Sequence, residues 1–221
     1  MKKKILITRK LLKENEDKLK ELFDVKLNVN DEIYTADKIL ELSKDCDGIL
    51  CAVTDKFNNE LINKLSPSIK IIANYAVGYG NIDVNAAKEK NIVVTNTPEV
   101  LDDSTADVSI LLLLGASRKV LEARRAAERQ DWKWSADFML GKQMSNKRLG
   151  ILGMGRIGRA VAKRARGFNM EIHYHNRSQL SKDLEEGAVY HKTVKDLFNC
   201  SDFLSINCPA TKETNKIINK E

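Results

Sequence analysis

The sequence predicts an α/β protein with two doubly wound parallel sheets in tandem, the second of them incomplete. Short apolar, β-branched runs alternate with amphipathic stretches almost from end to end, the pattern of strands buried between helices. A glycine-rich turn, Gly153-Met154-Gly155-Arg156-Ile157-Gly158, stands where a strand gives way to a helix. The set of elements around that turn holds four expected strands, where a doubly wound nucleotide domain carries about six.

In the first set, strands are expected at residues 4–8, 25–29, 48–53, 69–75 and 92–96. Each is a short run such as Ile5-Leu6-Ile7 or Ile92-Val93-Val94, bounded by polar residues. Amphipathic patterns at 11–23, 36–43, 59–65 and 84–90 supply the helices between them. Residues 1–99 thus read as one domain and 100–221 as another. The second opens on one long helix. Asp102, Asp103 and Ser104 offer N-cap oxygens, an apolar stretch at 106–116 reads as buried between layers, and a charged arm runs through 118–129. Trp132, Trp134 and a polar loop to Lys147 follow. A second alternation comes next, with strands at 148–152, 171–176, 188–190 and 203–208 and helices at 156–168 and 194–200.

Each glycine of the turn has a mechanical task. Gly153 permits the tight bend, Gly155 lets backbone approach a pyrophosphate, and Gly158 lets helix pack closely on strand. The N–H groups that open the helix, at Arg156 and Ile157, then face the phosphate charge. The next strand ends His175-Asn176-Arg177-Ser178. NAD-selective domains place an acid there for the ribose hydroxyls. Asn176, Arg177 and Ser178 offer donors and a positive charge instead, which favours NADP(H) over NAD(H). The plainer reading makes Arg177 an exposed loop residue and NAD(H) the cofactor.

Composition excludes several classes. With 43% hydrophobic and 31% charged residues the chain reads as globular rather than disordered. No apolar run nears the ~18–20 residues of a membrane span. The basic start, Met1-Lys2-Lys3-Lys4, leads only into Ile5-Leu6-Ile7, too short for a signal peptide, so a cytoplasmic location is expected. Cys46, Cys51, Cys200 and Cys208 form no zinc-like spacing and read as reduced, buried strand residues. Net charge is +6. Its densest cluster, Arg118, Lys119, Arg124, Arg125 and Arg129, is broken by Glu122 and Glu128, which reads as a solvated helix face or a subunit contact. A small anion is therefore expected as partner, and neither nucleic acid nor membrane. His173 and His175 share a strand face but lack a third ligand, so no metal is expected, and His191 follows a later short strand.

Several motifs, in order, carry a resemblance. They are Asn74-Tyr75-Ala76-Val77-Gly78-Tyr79-Gly80-Asn81-Ile82-Asp83, Val94-Thr95-Asn96-Thr97-Pro98, Ser104-Thr105-Ala106-Asp107, the glycine turn, and Cys208-Pro209 with Glu213-Thr214. With them the chain resembles the D-isomer-specific 2-hydroxyacid dehydrogenases, especially glyoxylate/hydroxypyruvate reductases. That resemblance implies a flavodoxin-like substrate domain at 1–99 and an NAD(P)-binding Rossmann domain at 100–221. It implies an oxidoreductase passing a hydride from NAD(P)H to a small 2-keto acid to give a D-2-hydroxy acid. The alternatives are an NAD-dependent D-3-phosphoglycerate or D-lactate type dehydrogenase, and a non-catalytic, corepressor-like nucleotide-binding protein. By the same resemblance, amides of Val77 and Gly78 hold the substrate carboxylate and Val53 borders it. Gly78 and Gly80 would free the backbone to turn those amides outward; a purely structural turn is the alternative. Thr105 would touch the nicotinamide side or simply cap its helix. Cys208, Pro209 and Thr214 would line the adenosine edge, with a plain buried thiol as the other reading of Cys208. The long helix, 104–129, and the arm after it would form a homodimer interface. The family's catalytic Arg, His and Glu would fall after residue 221, leaving none in this chain. A piece of a longer enzyme is then expected, with a natural short nucleotide binder as the alternative.

Overall fold

The computed structural model describes residues 2–130 and 132–219. They divide into two units, one ending at Glu99 and the other starting at Val100.

The first unit runs β1 (Lys4–Ile7), α1 (Lys13–Leu22), β2 (Asp24–Lys26), α2 (Ala36–Ser43), β3 (Gly48–Ala52), α3 (Asn59–Lys64), β4 (Ile71–Tyr75), α4 (Val84–Glu89) and β5 (Val93–Thr95). All pairings are parallel and the strand order is β2-β1-β3-β4-β5, the flavodoxin-like doubly wound order. Leu6, Ile49 and Ile72 project from neighbouring strands onto Ile39, Phe57, Leu61 and Ile62, all nearly fully buried. Side-chain oxygens of Thr35, Asn58 and Asp83 accept from the amides of Lys38, Leu61 and Ala86, which starts α2, α3 and α4.

The second unit runs α5 (Asp102–Ser117), α6 (Val120–Arg129), β6 (Arg148–Leu152), α7 (Arg156–Arg166), β7 (Glu171–His175), α8 (Lys182–Glu185), β8 (Val189–Tyr190), α9 (Val194–Cys200) and β9 (Phe203–Ile206). Its parallel sheet has the order β8-β7-β6-β9. Numbered within the unit this is 3-2-1-4, the order of a Rossmann half plus the first strand beyond its switch point. Alternate residues of β6 serve opposite faces. Ile151 meets the start of α7, where a Cβ on Gly158 would lie 3.2 Å from its Cγ2. Gly150 turns to α9, where a Cβ would lie 2.0 Å from Ser201 Oγ. Helix α7 packs Val161, Ala162 and Ala165 into a core shared with Ala106 and Ile110 of α5. Arg164 ties the two helices through Asp103 (3.0 Å) and Asp107 (2.5 Å).

The expected strands and helices are present, several shorter at their ends, with departures that have local causes. The expected 25–29 strand ends at Lys26. There the buried Asn28 bonds its own loop, its Nδ2 donating to the carbonyls of Thr8 and Glu32. The single long helix is two helices: Lys119 adopts φ 52°, and the Ser117 carbonyl accepts the Lys142 amide at 2.8 Å. The polar loop thus takes up an acceptor that a continuous helix would have used. No side chain caps α5; Leu101 is its N-cap, and Ser104 Oγ donates to the Leu101 carbonyl. Nor is its apolar stretch enclosed, since Leu111 and Leu112 are each 66% exposed. One-turn α8 had no signal in the pattern. Of the cysteines only Cys51 is a buried strand residue; Cys46 is buried just before β3, while Cys200 and Cys208 are half-buried outside strands.

Candidate functional site

The second unit's site forms at the carboxyl ends of β6 and β9, where the strand order reverses. Gly153 has φ +96°, and a Cβ there would sit 2.5 Å from the Cys208 amide nitrogen and 2.8 Å from the Asn207 carbonyl carbon. Only glycine admits both the dihedral and that approach. Gly158 is equally constrained, since its Cβ would fall 2.3 Å from the Gly153 carbonyl oxygen. Gly155 differs. It is the N-cap of α7 in extended backbone, no side chain caps the helix, and a Cβ there would meet nothing within 4 Å. The turn is thus tightly packed behind and open in front, where the amides and positive dipole end of α7 favour an anion.

Asn176 has a task that its sequence position did not imply. Its Oδ1 accepts the Met154 amide at 2.7 Å, so the residue after β7 clamps the glycine turn. Its Nδ2 makes no hydrogen bond among the described residues. Arg177 and Ser178 are exposed just beyond. The Glu213 carboxyl lies below its usual range, first through a hydrogen bond from Thr211 and, less strongly, through the charge of Arg177. Arg177 therefore lies within electrostatic reach of Glu213 in the 209–214 loop. That loop is stitched by Thr214, whose Oγ1 donates to the Pro209 carbonyl (2.7 Å) and accepts the Thr211 amide (2.8 Å). Thr214 shapes the edge, while Pro209 is exposed on it. Cys208 contributes backbone packed on Gly153. Thr105 is half-buried in α5, past its N-cap, and makes no side-chain capping bond.

The first unit presents its loops at the carboxyl ends of β3 and β4. Three successive carbonyls of the loop after β4 are anchored. Ala76 accepts the Thr97 amide (2.9 Å), Val77 accepts Asn96 Nδ2 (2.8 Å), and Gly78 accepts Asn74 Nδ2 (2.8 Å). In a trans peptide the N–H opposes the C=O, and no cis bond is present among the described residues. The amides of Val77, Gly78 and Tyr79 therefore turn away from these anchors, and none has a partner among the described residues. Consecutive open amides are a feature that anion-binding backbone loops share. Gly78 and Gly80 are not needed for the bend: neither has a positive φ, and a Cβ at either meets nothing within 4 Å. What they leave is open space beside the loop.

Asn81 couples this loop to the turn carrying Val53. It bonds Asn74, and its Nδ2 donates to the carbonyls of Ala52 and Asp55. The Asp55 carboxylate in turn accepts Thr8 Oγ1 and the Ala52 amide, closing a turn that leaves Val53 59% exposed. Beneath lies Cys51, its thiol pushed up to about 12, chiefly by burial, and inert as a nucleophile. Sequence reasoning gave no task to Asn74, Asn81 or Asn96. The available signal was three amides around a glycine-containing turn, which becomes legible only once their partners are known.

A family model described as D-isomer specific 2-hydroxyacid dehydrogenase, NAD binding domain, matches residues 110–221. A glyoxylate reductase of Thermococcus kodakarensis is 38% identical over 226 residues, spanning 100% of this chain and 68% of that protein. The crystal structure of a putative D-isomer specific 2-hydroxyacid dehydrogenase, NAD-binding, from Polaromonas superposes with a TM-score of 0.88 at 40% identity, covering 96% of this chain and 67% of the other. An NADPH-dependent glyoxylate/hydroxypyruvate reductase from Sinorhizobium meliloti, in complex with NADP and malonate, gives 0.82 at 29% identity, over 97% and 65% of the two chains.

Proposed function

The chain belongs to the D-isomer specific 2-hydroxyacid dehydrogenase family, and on that premise we propose an NADP(H)-preferring reductase of glyoxylate or hydroxypyruvate. The observation that carries the proposal is the open face of the Gly153–Gly158 turn at the switch point between β6 and β9.

The residues fit a dinucleotide on structural grounds. Gly155 leaves free the space a side chain would fill, and the uncapped start of α7 supplies amides at Arg156 and Ile157 for the pyrophosphate. Asn176 Nδ2, Arg177 and Ser178 would take the adenosine ribose and its 2′-phosphate, with Cys208, Pro209 and Thr214 bordering that end and Thr105 the nicotinamide side. When bound, the nicotinamide supplies a hydride for C2 of the keto acid. The chain's own part in that reaction is to bind and orient. Amides of Val77 and Gly78 would hold the substrate carboxylate, and Val53 would present an apolar border to it. None of the described residues is assigned the proton donor. Leu111, Leu112 and the tryptophans after α6 are exposed, which supports a homodimer through α5, α6 and the arm. No described helix is long and apolar enough to cross a membrane.

Titration with NADPH and NADH tests the cofactor reading. Wild type is expected to prefer NADPH, and Arg177→Ala to weaken NADPH alone by about 5–30-fold, the worth of one exposed charge-assisted contact of about 1–2 kcal/mol. Equal loss for both nucleotides, or none, removes the 2′-phosphate assignment. Glyoxylate-dependent oxidation of NADPH tests the reaction. If no small 2-keto acid is reduced, the enzyme reading fails.

A further inference from the structure

His173 and His175 share a face of β7, yet only His173 gains further metal-ligating neighbours, and the fold brings them from elsewhere in the chain. His173 Nδ1 lies 2.9 Å from His191 Nε2, and Cys200 Sγ lies 3.4 Å from the same His191 nitrogen. One ligand atom from each of the three residues falls within 4.8 Å of the other two. We propose that His173, His191 and Cys200 form a zinc site on the α9 face of the second sheet, outside the nucleotide-binding turn.

The donor set is the first argument. Two imidazole nitrogens and one thiolate suit Zn²⁺, which takes Cys and His ligands in a tetrahedron with a water in any open position. Bond lengths of about 2.0–2.1 Å to nitrogen and about 2.3 Å to sulfur place tetrahedral neighbours roughly 3.3–3.6 Å apart. The sulfur–nitrogen separation already lies in this range, and the two rings need to part by only a few tenths of an ångström.

A second, independent observation is the far side of His173. Its Nε2 is buried and has no hydrogen-bond partner. Glu171 Oε2 lies 3.8 Å away, on the same strand two residues earlier. Ligation through Nδ1 requires the proton on Nε2. The Glu171 carboxylate, closing by less than 1 Å, would then accept it, as carboxylates behind metal-bound histidines do. Metal binding would thus resolve an unpaired buried atom.

The frame is also preset. The His191 amide donates to the Tyr174 carbonyl, and the His191 carbonyl accepts His175 Nδ1, each at 2.8 Å. Cys200 closes α9, its Sγ 3.1 Å from the Leu197 carbonyl. On binding, the Cys200 thiol gives its proton to solvent, each imidazole binds through an unprotonated ring nitrogen, and water completes the shell. The ion would link β7, the β8–α9 connection and the end of α9.

The test uses the metal-free chain with Co²⁺ as a spectroscopic probe and Zn²⁺ as competitor. The expected result is one equivalent of cobalt with a thiolate-to-cobalt charge-transfer band, bleached by zinc. The band should vanish in Cys200→Ser and persist in Cys208→Ser. Zinc should raise the thermal midpoint of wild type and of Cys208→Ser, and leave that of Cys200→Ser and His191→Ala unmoved. No band and no zinc-dependent midpoint shift in wild type overturns the proposal, as does a band that survives in Cys200→Ser.

Discussion

Gly155→Ala separates the packing duties of the glycine turn from its binding duty. In the chain alone the added methyl meets nothing within 4 Å, and the backbone there is extended. Two small terms then act on stability with opposite signs. Removing a glycine from the unfolded ensemble stabilises by about 0.4–1 kcal/mol, and replacing an N-cap glycine by alanine costs about 0.5–1 kcal/mol. They cancel to within about 0.5 kcal/mol, so the thermal midpoint should move by no more than a few degrees. Nucleotide binding should respond far more, because the methyl occupies the space through which a pyrophosphate reaches the α7 amides. Loss of one charge-assisted hydrogen bond of about 1.5–3 kcal/mol weakens binding about 10–150-fold. Gly153→Ala is the contrast. A positive φ for alanine costs about 1–3 kcal/mol, and overlap with the Asn207–Cys208 backbone adds about 1–3 kcal/mol more. Its midpoint should therefore fall by on the order of 10 °C. Differential scanning calorimetry and NADPH fluorescence titration read both quantities. A Gly155→Ala chain that binds NADPH as tightly as wild type refutes the placement of phosphate at this turn. If instead it unfolds early, the open face read from the structure is wrong.

Asn96→Ala should release the Val77 carbonyl and loosen the loop that carries the open amides. In ¹⁵N-labelled chain the Gly78 and Tyr79 amide resonances should shift with glyoxylate in wild type and shift several-fold less in the variant; equal responses would remove the asparagine anchor from the argument. Asp202 accepts the Arg148 guanidinium at 3.1 and 3.2 Å and the Arg148 amide at 2.9 Å. These bonds, the guanidinium's foremost, hold its carboxyl down to about 2. A depressed folded value means the folded chain binds fewer protons, so this stabilisation is complete above the unfolded value of about 3.9 and vanishes as pH falls through about 2. The urea midpoint of wild type should thus exceed that of Asp202→Asn near neutrality, with the gap closing below about pH 4. A gap that stays constant into acid would show that the pair contributes nothing through its charge.

Much of the fold was legible because its signals are local. The runs at Ile5–Ile7 and Ile49–Ala52 mark strands through their apolar continuity alone, whatever they later pair with. The Gly153–Gly158 spacing declares a strand-to-helix bend because each glycine answers a steric demand made within a few residues. The helix break at Lys119 was hidden, since the Ser117 carbonyl is claimed by Lys142, which no periodicity in 102–129 reports. Asn176 was read as a nucleotide contact because its position is adjacent to that task. Its bond to Met154, 22 residues earlier, gives it a second one.

The sequence by itself determined the fold class, the order of elements and the location of the open glycine turn, since those follow from patterning along neighbouring residues. Strand order, the three amides freed by Asn74, Asn96 and Thr97, and the meeting of His173 with His191 and Cys200 were decided only by the tertiary structure. Each depends on which distant segments are laid side by side, and side-chain amides, imidazoles and thiols carry no sequence mark of the partner they will meet. Parallel pairing of β7 with β8 and the return of α9 across the sheet create those meetings. Hydrogen bonding then fixes most of them, because a polar group buried by the fold is seldom left without a partner.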